Sequence, residues 1–370
     1  MLAQSRHLGD ANLGNGGRAM HSQIRALPKT AILVAIGFFS GCAAVAADDV
    51  AADRAASAAS RPTTVKVAAV QCSSVLGDVE GNRRKLTALV TEAAGAGAKI
   101  IVLPEAAVTG YLSQDLKTNW RLPGKPIDRE FKGKDPVPFA ETVPGPSTDH
   151  FCQLAKRLGV YITVPLLEKE TQGGTGQRSE TKSTSAESPG DAALADSLRS
   201  LASGTLLAKS AGAAPPKLFN TVCLVSPKGE IVAHYRKLTP WPVPEKSWAT
   251  PGDRGVQFYD TEYGRVGLAI SFDIHTILEK YEPHKIWALL YPIAWVDDNH
   301  PADWFWHRLP EQTGRFKHYV IGANWSVDQP QKWFGYGFSV IIDPTGRVIA
   351  SAKSLYGSEI VYATIKTANN

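Results

Sequence analysis

Apolar residues in this chain come in short, nearly unbroken runs separated by stretches of helical period. Val65-Lys-Val-Ala-Ala-Val-Gln71 reads as a buried strand, and Asn82 to Ala94 repeats its apolar positions at helical spacing through Leu86, Leu89 and Val90. Lys99 to Pro104 is a second buried strand, Phe151 to Leu158 a helix, and Val160 to Pro165 and Thr221 to Ser226 further strands. Pro227-Lys-Gly-Glu is a turn signal before a strand over Ile231 to Tyr235. Gly267 to Ser271 then delivers a strand to a helix and to Ala288-Leu-Leu-Tyr-Pro. A helix over Asp303 to Phe316 precedes strands at Tyr319 to Ala323, Phe338 to Asp343 and Val348 to Ala350. Runs without polar alternation, interleaved with helices, predict an α/β fold whose sheet is covered by helices on one face.

Two regions break the pattern. Glu168 to Pro216 interrupts the strands: Thr171 to Gly190 is rich in Gly, Ser, Thr and Glu, as in a disordered surface insert, and Asp191 to Leu207 has a short amphipathic repeat through Leu194, Leu198 and Leu201. Its Gly173-Gly-Thr-Gly-Gln-Arg-Ser lacks the lysine, spacing and preceding strand of a phosphate loop. The N-terminus reads as an export signal over residues 1–41, with Met20 as the expected start. Arg25 and Lys29 precede an apolar run from Thr30 to Phe39, too short to span a membrane in the ordinary way, and Ser40-Gly-Cys42 follows. Phe-Ser-Gly-Cys is similar to the bacterial lipobox, which would make Cys42 the acylated mature N-terminus and residues 42–62 a tether. The alternative is a secreted protein cut elsewhere, for instance near Ala47. Ala43 after the cysteine favours the outer membrane, so the expected location is the periplasmic face of the cell envelope.

Composition narrows the function classes. Of 370 residues, 44% are hydrophobic and nine are tryptophan, enough for a large core. The formal charge of +5 includes +3 from residues 1–41, and the dispersed remainder argues against a nucleic-acid partner. Cys72, Cys152 and Cys223 have neither C-x-x-C nor metal-ligand spacing; buried free thiols are expected, with one disulfide as the alternative. No metal or cofactor is called for.

Candidate chemistry lies where strands end. Glu105 closes Ile-Ile-Val-Leu-Pro-Glu, where apolar neighbours would raise a carboxyl pKa and make it a usable base. Lys237 follows a strand and precedes Pro240-Trp-Pro-Val-Pro244, which Glu245 ends; a lysine there could stabilise an oxyanion, and Glu245 could fix the lysine or polarise substrate. Taken singly, each reads equally as a solvated loop charge. Ser271 sits at the turn after a buried strand, with His275 as the one nearby base in sequence. Ala269 and Asp273 exclude a G-x-S-x-G elbow.

Together the motifs Ala68-Ala-Val-Gln71, Leu103-Pro-Glu105, Thr109-Gly-Tyr111, Tyr235-Arg-Lys237, Gly264-Arg-Val-Gly267, Ser271-Phe-Asp273 and Pro292-Ile-Ala-Trp295 resemble the nitrilase (carbon–nitrogen hydrolase) superfamily over nearly all of Val65 to Ile365. Phe272-Asp-Ile, Pro292-Ile-Ala-Trp and Phe151-Cys-Gln-Leu-Ala-Lys156 also resemble its vanin and biotinidase branch. The resemblance implies a four-layer α-β-β-α sandwich over residues 63–366, dimerised so that sheets extend across subunits. It implies Glu105 as general base, Lys237 as oxyanion-stabilising cation, Glu245 as accessory glutamate and the Phe272 N–H as second oxyanion donor. It places Ser271 where the family has a cysteine, which attacks an amide or nitrile carbon and is freed by water. A serine there is the weaker nucleophile. Two readings follow: a hydrolase of small-molecule amides that acylates Ser271, and a catalytically silent envelope protein that binds an amide-like ligand or a partner. Lipoprotein acyl transfer would need several membrane spans, and apart from the signal no apolar run is long enough. Pocket walls are expected from Leu112 to Val143, Trp241 to Trp248, Trp295 to Trp306 and Lys332 to Tyr336, whose aromatic residues suit an apolar or planar acyl group or simply pack.

Overall fold

The computed structural model describes residues 62–75, 77–111, 135–170, 216–242, 245, 248–295, 303–326 and 336–368, all within one compact unit, Ser60–Asn370. The expected signal, the Cys42 tether and most of the insert lie outside the described residues, as does most of the expected pocket wall between 112 and 134.

The described residues form twelve strands in chain order: β1 (Thr64–Gln71), β2 (Ile100–Val102), β3 (Tyr161–Lys169), β4 (Leu218–Val225), β5 (Ile231–Arg236), β6 (Phe258–Thr261), β7 (Gly264–Leu268), β8 (Ala288–Ile293), β9 (Tyr319–Asn324), β10 (Val340–Ile342), β11 (Val348–Ser351) and β12 (Glu359–Lys366). They make two six-stranded sheets, ordered β12-β1-β2-β3-β4-β5 and β6-β7-β8-β9-β10-β11. Each sheet runs antiparallel, parallel, parallel, antiparallel, antiparallel across its five pairings. One half of the fold therefore repeats the other, except that the first sheet takes its outer strand, β12, from the C-terminus.

Strand period explains the unbroken apolar runs. Val65, Val67 and Ala69 join Val102, Val222, Leu268, Leu290 and Ile321 in the core that the two sheets share. The intervening Ala68 and Val70 face Leu86 and Val90 of α1 (Val79–Gly95) and Phe151 and Leu154 of α2 (Pro146–Leu158). Both faces of such a strand are covered, so alternation vanishes. On the second sheet, α3 (Leu278–Tyr281) and α4 (Leu309–Phe316) bring Leu278, Tyr281 and Leu309 to the core. The architecture is the expected four-layer α-β-β-α sandwich; the single covered sheet of the pattern reading resolves into two, each with helices on one face and the other sheet on its second.

Some boundaries differ from the sequence reading. α2 starts at Pro146, five residues before the expected Phe151, with Gly145 as N-cap in extended backbone and the Thr148 hydroxyl accepting its N–H. Asp303 to Phe316 divides into a π-helical turn, Trp304–Arg308, and α4. β7 ends at Leu268, earlier than the strand read over Gly267 to Ser271, and Ser271 opens a 3-10 turn, Ser271–His275, at the expected turn after the strand. Glu168 and Lys169, read as the start of the insert, are the last residues of β3 and pair with Phe219 and Leu218. The reason is electrostatic: Glu168 is buried and accepts bonds from Thr221, His234 and Arg236, which a loop glutamate would not have.

Candidate active site

The parallel strands open at their carboxyl ends, the usual place for a ligand in an α/β sheet. Glu105 stands three residues beyond β2 and Ser271 three beyond β7, so matching exits of the two sheets deliver both. The Glu105 N–H donates to the Ile293 carbonyl at the end of β8 (3.3 Å), and the Trp325 indole N–H donates to the Glu105 carbonyl (2.6 Å). The backbone of Glu105 is thus fixed by the opposite sheet. Ala106, which follows it, has φ +49°, and Ser271 has φ +43°. Left-handed backbone at non-glycine residues is strained and persists where surrounding contacts enforce it, often at functional sites.

Lys237, just past β5, is the centre of the charge arrangement. Its ammonium lies 2.8 Å from Glu105 Oε1 and 2.7 Å from Glu245 Oε2, all three side chains being at most 1% exposed. Sequence reading missed Asn220 on β4, whose Nδ2 donates to Glu105 Oε1 (2.7 Å) and to Glu245 Oε1. The backbone N–H of Trp241 holds the other oxygen of Glu245, Oε2. Tyr111, in the loop after Glu105, makes a side-chain hydrogen bond with Glu245, and burial and both carboxylates keep its phenol protonated. Burial raises Glu105 to a pKa of about 7; Lys237 and Asn220 oppose the shift and the Glu245 charge adds to it. Burial works against the Lys237 ammonium, yet the two carboxylates outweigh it and hold its pKa above the ordinary lysine value. Glu105 Oε2 has no hydrogen-bond partner among the described residues. The site thus presents a permanent cation beside a carboxyl that can hold or release a proton near neutrality, as acid–base chemistry requires.

The turn bearing Ser271 is tied to the strands that carry this arrangement. The Tyr291 hydroxyl of β8 donates to the Ser271 carbonyl (2.8 Å). Asp273, buried two residues on, accepts the Tyr235 hydroxyl (2.6 Å) and the Thr239 N–H (2.7 Å), which flank Lys237 in sequence. Its charge is felt at Lys237, and Glu105 and Asp273 both act on Tyr291. Burial lifts Asp273 to about 6, against the pull of Lys237 and Tyr235. Ser271 is 8% exposed. Phe272 follows it at the start of the turn, its ring 5.0 Å from that of His275. His275, weighed as an activating base, packs 4.7 Å from Trp304, and burial lowers its pKa, so the ring is neutral at pH 7. Trp295 stacks on Trp304 with centroids 4.8 Å apart, extending the aromatic cluster of Phe272 and His275 that begins one residue after Ser271.

A second buried charge cluster backs β5. Arg236, adjacent to Lys237, donates to Glu168 and Asp253 and lies over the Phe219 ring at 3.7 Å. Burial works against the Glu168 carboxylate, but His234, Arg236 and Thr221 hold it down to about 2. A depressed folded-state pKa stabilises the protein above the unfolded value and ceases to do so as pH falls toward 2. Glu168→Gln is therefore expected to cost about 3 kcal/mol at pH 7, because Arg236 and His234 lose their buried carboxylate. Thermal melting should show that difference shrinking between pH 4.5 and pH 2; a difference independent of pH would contradict the assignment. Cys72 and Cys223 are buried and Cys152 half-buried, and no disulfide joins any two of them. Among the described residues no group of His, Cys, Asp and Glu could hold a metal ion.

Comparison with known proteins agrees with this layout. A family profile described as carbon-nitrogen hydrolase matches residues 66–369. The omega-amidase NIT2 of Homo sapiens is 26% identical over 310 residues, 80% of this chain and 86% of that protein. That of Danio rerio is 26% identical over 299 residues, 77% of this chain and 82% of that protein. Among solved structures, an amidase from Nesterenkonia sp. superposes with a TM-score of 0.56 at 14% identity, covering 82% of this chain and 92% of that chain. Saccharomyces cerevisiae Nit3, a member of branch 10 of the nitrilase superfamily, gives 0.55 at 19% identity, covering 82% and 90%. These likenesses support the superfamily, and the vanin and biotinidase branch rests on the loop motifs alone. With its fold and nearly the whole of its folded length matched, the chain belongs to the carbon–nitrogen hydrolase (nitrilase) family.

Proposed function

We propose that the protein hydrolyses the carbon–nitrogen bond of a small amide through Glu105, Lys237 and Ser271. The observation that carries this is the buried Lys237 ammonium held between Glu105 and Glu245, with Asp273 of the Ser271 turn acting on the same lysine. Ser271 Oγ attacks the amide carbon while its proton passes to Glu105. Lys237 and the Phe272 N–H stabilise the resulting oxyanion. The carbon–nitrogen bond then breaks as Glu105 returns the proton to nitrogen, and ammonia or an amine leaves. Water, deprotonated by Glu105, attacks the acyl ester; the acid departs and Ser271 regains its proton. Glu245 holds Lys237 in place throughout.

Relatives support an amide over a nitrile as substrate. The curated ones are named omega-amidases, and structures of the Nesterenkonia amidase hold acrylamide and butyramide. A further one shows covalent addition of the acetamide moiety of fluoroacetamide at that enzyme's active-site cysteine. A primary amide is accordingly the first substrate class to try; the branch motifs, which resemble vanin and biotinidase, favour a secondary amide as the second. The aromatic cluster of Phe272, His275, Trp295 and Trp304 suits an apolar or planar acyl group.

Ammonia release from simple primary amides, with Ser271→Ala as control, tests the reading. Intact-protein mass spectrometry should show an acyl adduct on the wild type and none on the alanine variant. Because Glu105 must be ionised to take a proton, turnover should rise with pH and reach half its plateau near pH 7; an acid limb near pH 4 would remove Glu105 as base. The silent-binder reading has one observation in its favour, the hydroxyl at position 271, and amide binding by calorimetry without adduct or turnover would establish it. We further propose export with acylation at Cys42, which places the protein at the periplasmic face of the outer membrane, and assembly as a homodimer. A Cys42→Ala variant that remains membrane-bound contradicts the anchor, and a monomeric mass by light scattering contradicts the dimer.

A further inference from the structure

Asn220 interrupts an otherwise apolar strand, Leu-Phe-Asn-Thr-Val-Cys-Leu-Val, and is buried. Its Nδ2 donates to Oε1 of both Glu105 and Glu245, and its carbonyl accepts the backbone N–H of Lys237 (2.8 Å). One residue therefore contacts each member of the charged trio. The orientation of the carboxamide follows from charge. Reversed, it would aim the lone pairs of Oδ1 at two carboxylate oxygens; as it stands, N–H donors face both. The consequence is that Oδ1 is buried with no partner among the described residues. A buried acceptor left unpaired is unfavourable, so this side chain weakens the fold locally in order to serve the two carboxylates.

We propose that Asn220 is a positioning residue: by sharing its side-chain N–H donors between Glu105 and Glu245 it keeps both carboxylates on one ammonium and sets the pH range in which Glu105 accepts a proton. Glu105 is surrounded by Lys237 from beyond β5, Glu245 from the following loop, Tyr111 from its own loop and Tyr291 from β8, with Asp273 acting on Lys237. Asn220 is the neutral donor of this set that reaches both glutamates. A hydrogen bond to the ionised form favours it, so Asn220 works with Lys237 against burial. Without it Glu105 should retain its proton to higher pH, and each carboxylate would be free to swing away from the lysine. The catalytic half of this statement rests on Glu105 being the base; the clamp itself rests on geometry alone.

The test is a carboxyl titration that needs no turnover. Protein labelled with 13C at glutamate side-chain carboxyls is titrated by NMR, with Glu105 assigned by the signal lost in Glu105→Gln. The wild-type midpoint is expected near 7. In Asn220→Leu it should rise by about half a unit or more, and in Asn220→Asp, which adds a carboxylate in place of a donor, by more still. Asn220→Asp changes shape least and decides the matter if Asn220→Leu does not fold. A folded variant whose Glu105 midpoint equals the wild-type value overturns the proposal even if its melting temperature falls, since a packing role alone predicts that pattern. Where turnover is measurable, kcat at pH 7 should drop about tenfold with KM unchanged, and the acid limb should follow the NMR midpoint. A shifted midpoint in a protein that never releases ammonia supports the clamp and removes the catalytic reading.

Discussion

The Ser271→Cys variant should release ammonia from a primary amide about a hundredfold or more faster than the wild type. The argument is the proton gradient between nucleophile and base. A free thiol has a pKa of about 8.5, whereas a hydroxyl is far less acidic and comparable with water. Burial sets Glu105 at about 7, a near match for a thiol and a poor one for an alcohol. Proton transfer from serine is then steeply uphill, and from cysteine by less than about two units. The acyl intermediate adds to the difference, because a thioester is more reactive toward water than an ester. His275, the base nearest in sequence, does not close the gap for serine, since it packs on Phe272 and Trp304 and makes no hydrogen bond to Ser271 among the described residues. Cysteine adds little volume, and the change keeps a β-carbon at the same left-handed backbone position. A wild type faster than the cysteine variant under matched conditions would defeat this argument. It would mean that the site activates a hydroxyl by a route other than Glu105.

What the sequence made legible follows physical rules. β1, β3, β4 and β8 are covered on both faces, and full coverage leaves an unbroken apolar run that is readable without partners. β6 and β12 went unread because they are outer strands, only partly buried, whose mixed residues look like loop until the sheet that accepts them is known. The candidates at strand exits, Glu105, Lys237 and Ser271, were noticed as a charge or hydroxyl after an apolar run, and the family motifs around them set them apart from ordinary loop residues. Asn220 was not, because a single polar residue within an apolar strand has no signal until its partners, 115 and 25 residues away, are brought together. Glu168 was assigned to the insert because its sequence neighbours are polar, and its partner Arg236 is 68 residues distant. Local pattern together with the family resemblance thus located the groups proposed to react. The groups that hold them became visible only through contacts distant in sequence.

Lys237→Met is expected to lower amide hydrolysis by about a thousandfold or more, and to do so through two separable effects. Loss of one oxyanion donor costs on the order of a hundred- to a thousandfold in a preorganised site. The second effect falls on the base. Lys237 is what opposes burial most strongly at Glu105, so without it the carboxyl holds its proton well above pH 7 and cannot accept another. Stability should respond in a direction fixed by linkage. A carboxyl whose folded-state pKa lies above its unfolded value stabilises the fold at low pH, and that contribution is lost as pH rises from about 4.5 through the folded value. With methionine at 237, Glu105 and Glu245 remain buried side by side without their cation, and ionising both becomes costlier as pH rises. The variant should melt close to the wild type at pH 5 and fall behind progressively toward pH 8, where breaking the buried pair costs about 3–5 kcal/mol. A melting-temperature difference that is flat between pH 5 and pH 8 would show that the lysine is held for packing and not for charge. Activity within tenfold of the wild type would show that the oxyanion is stabilised by another group.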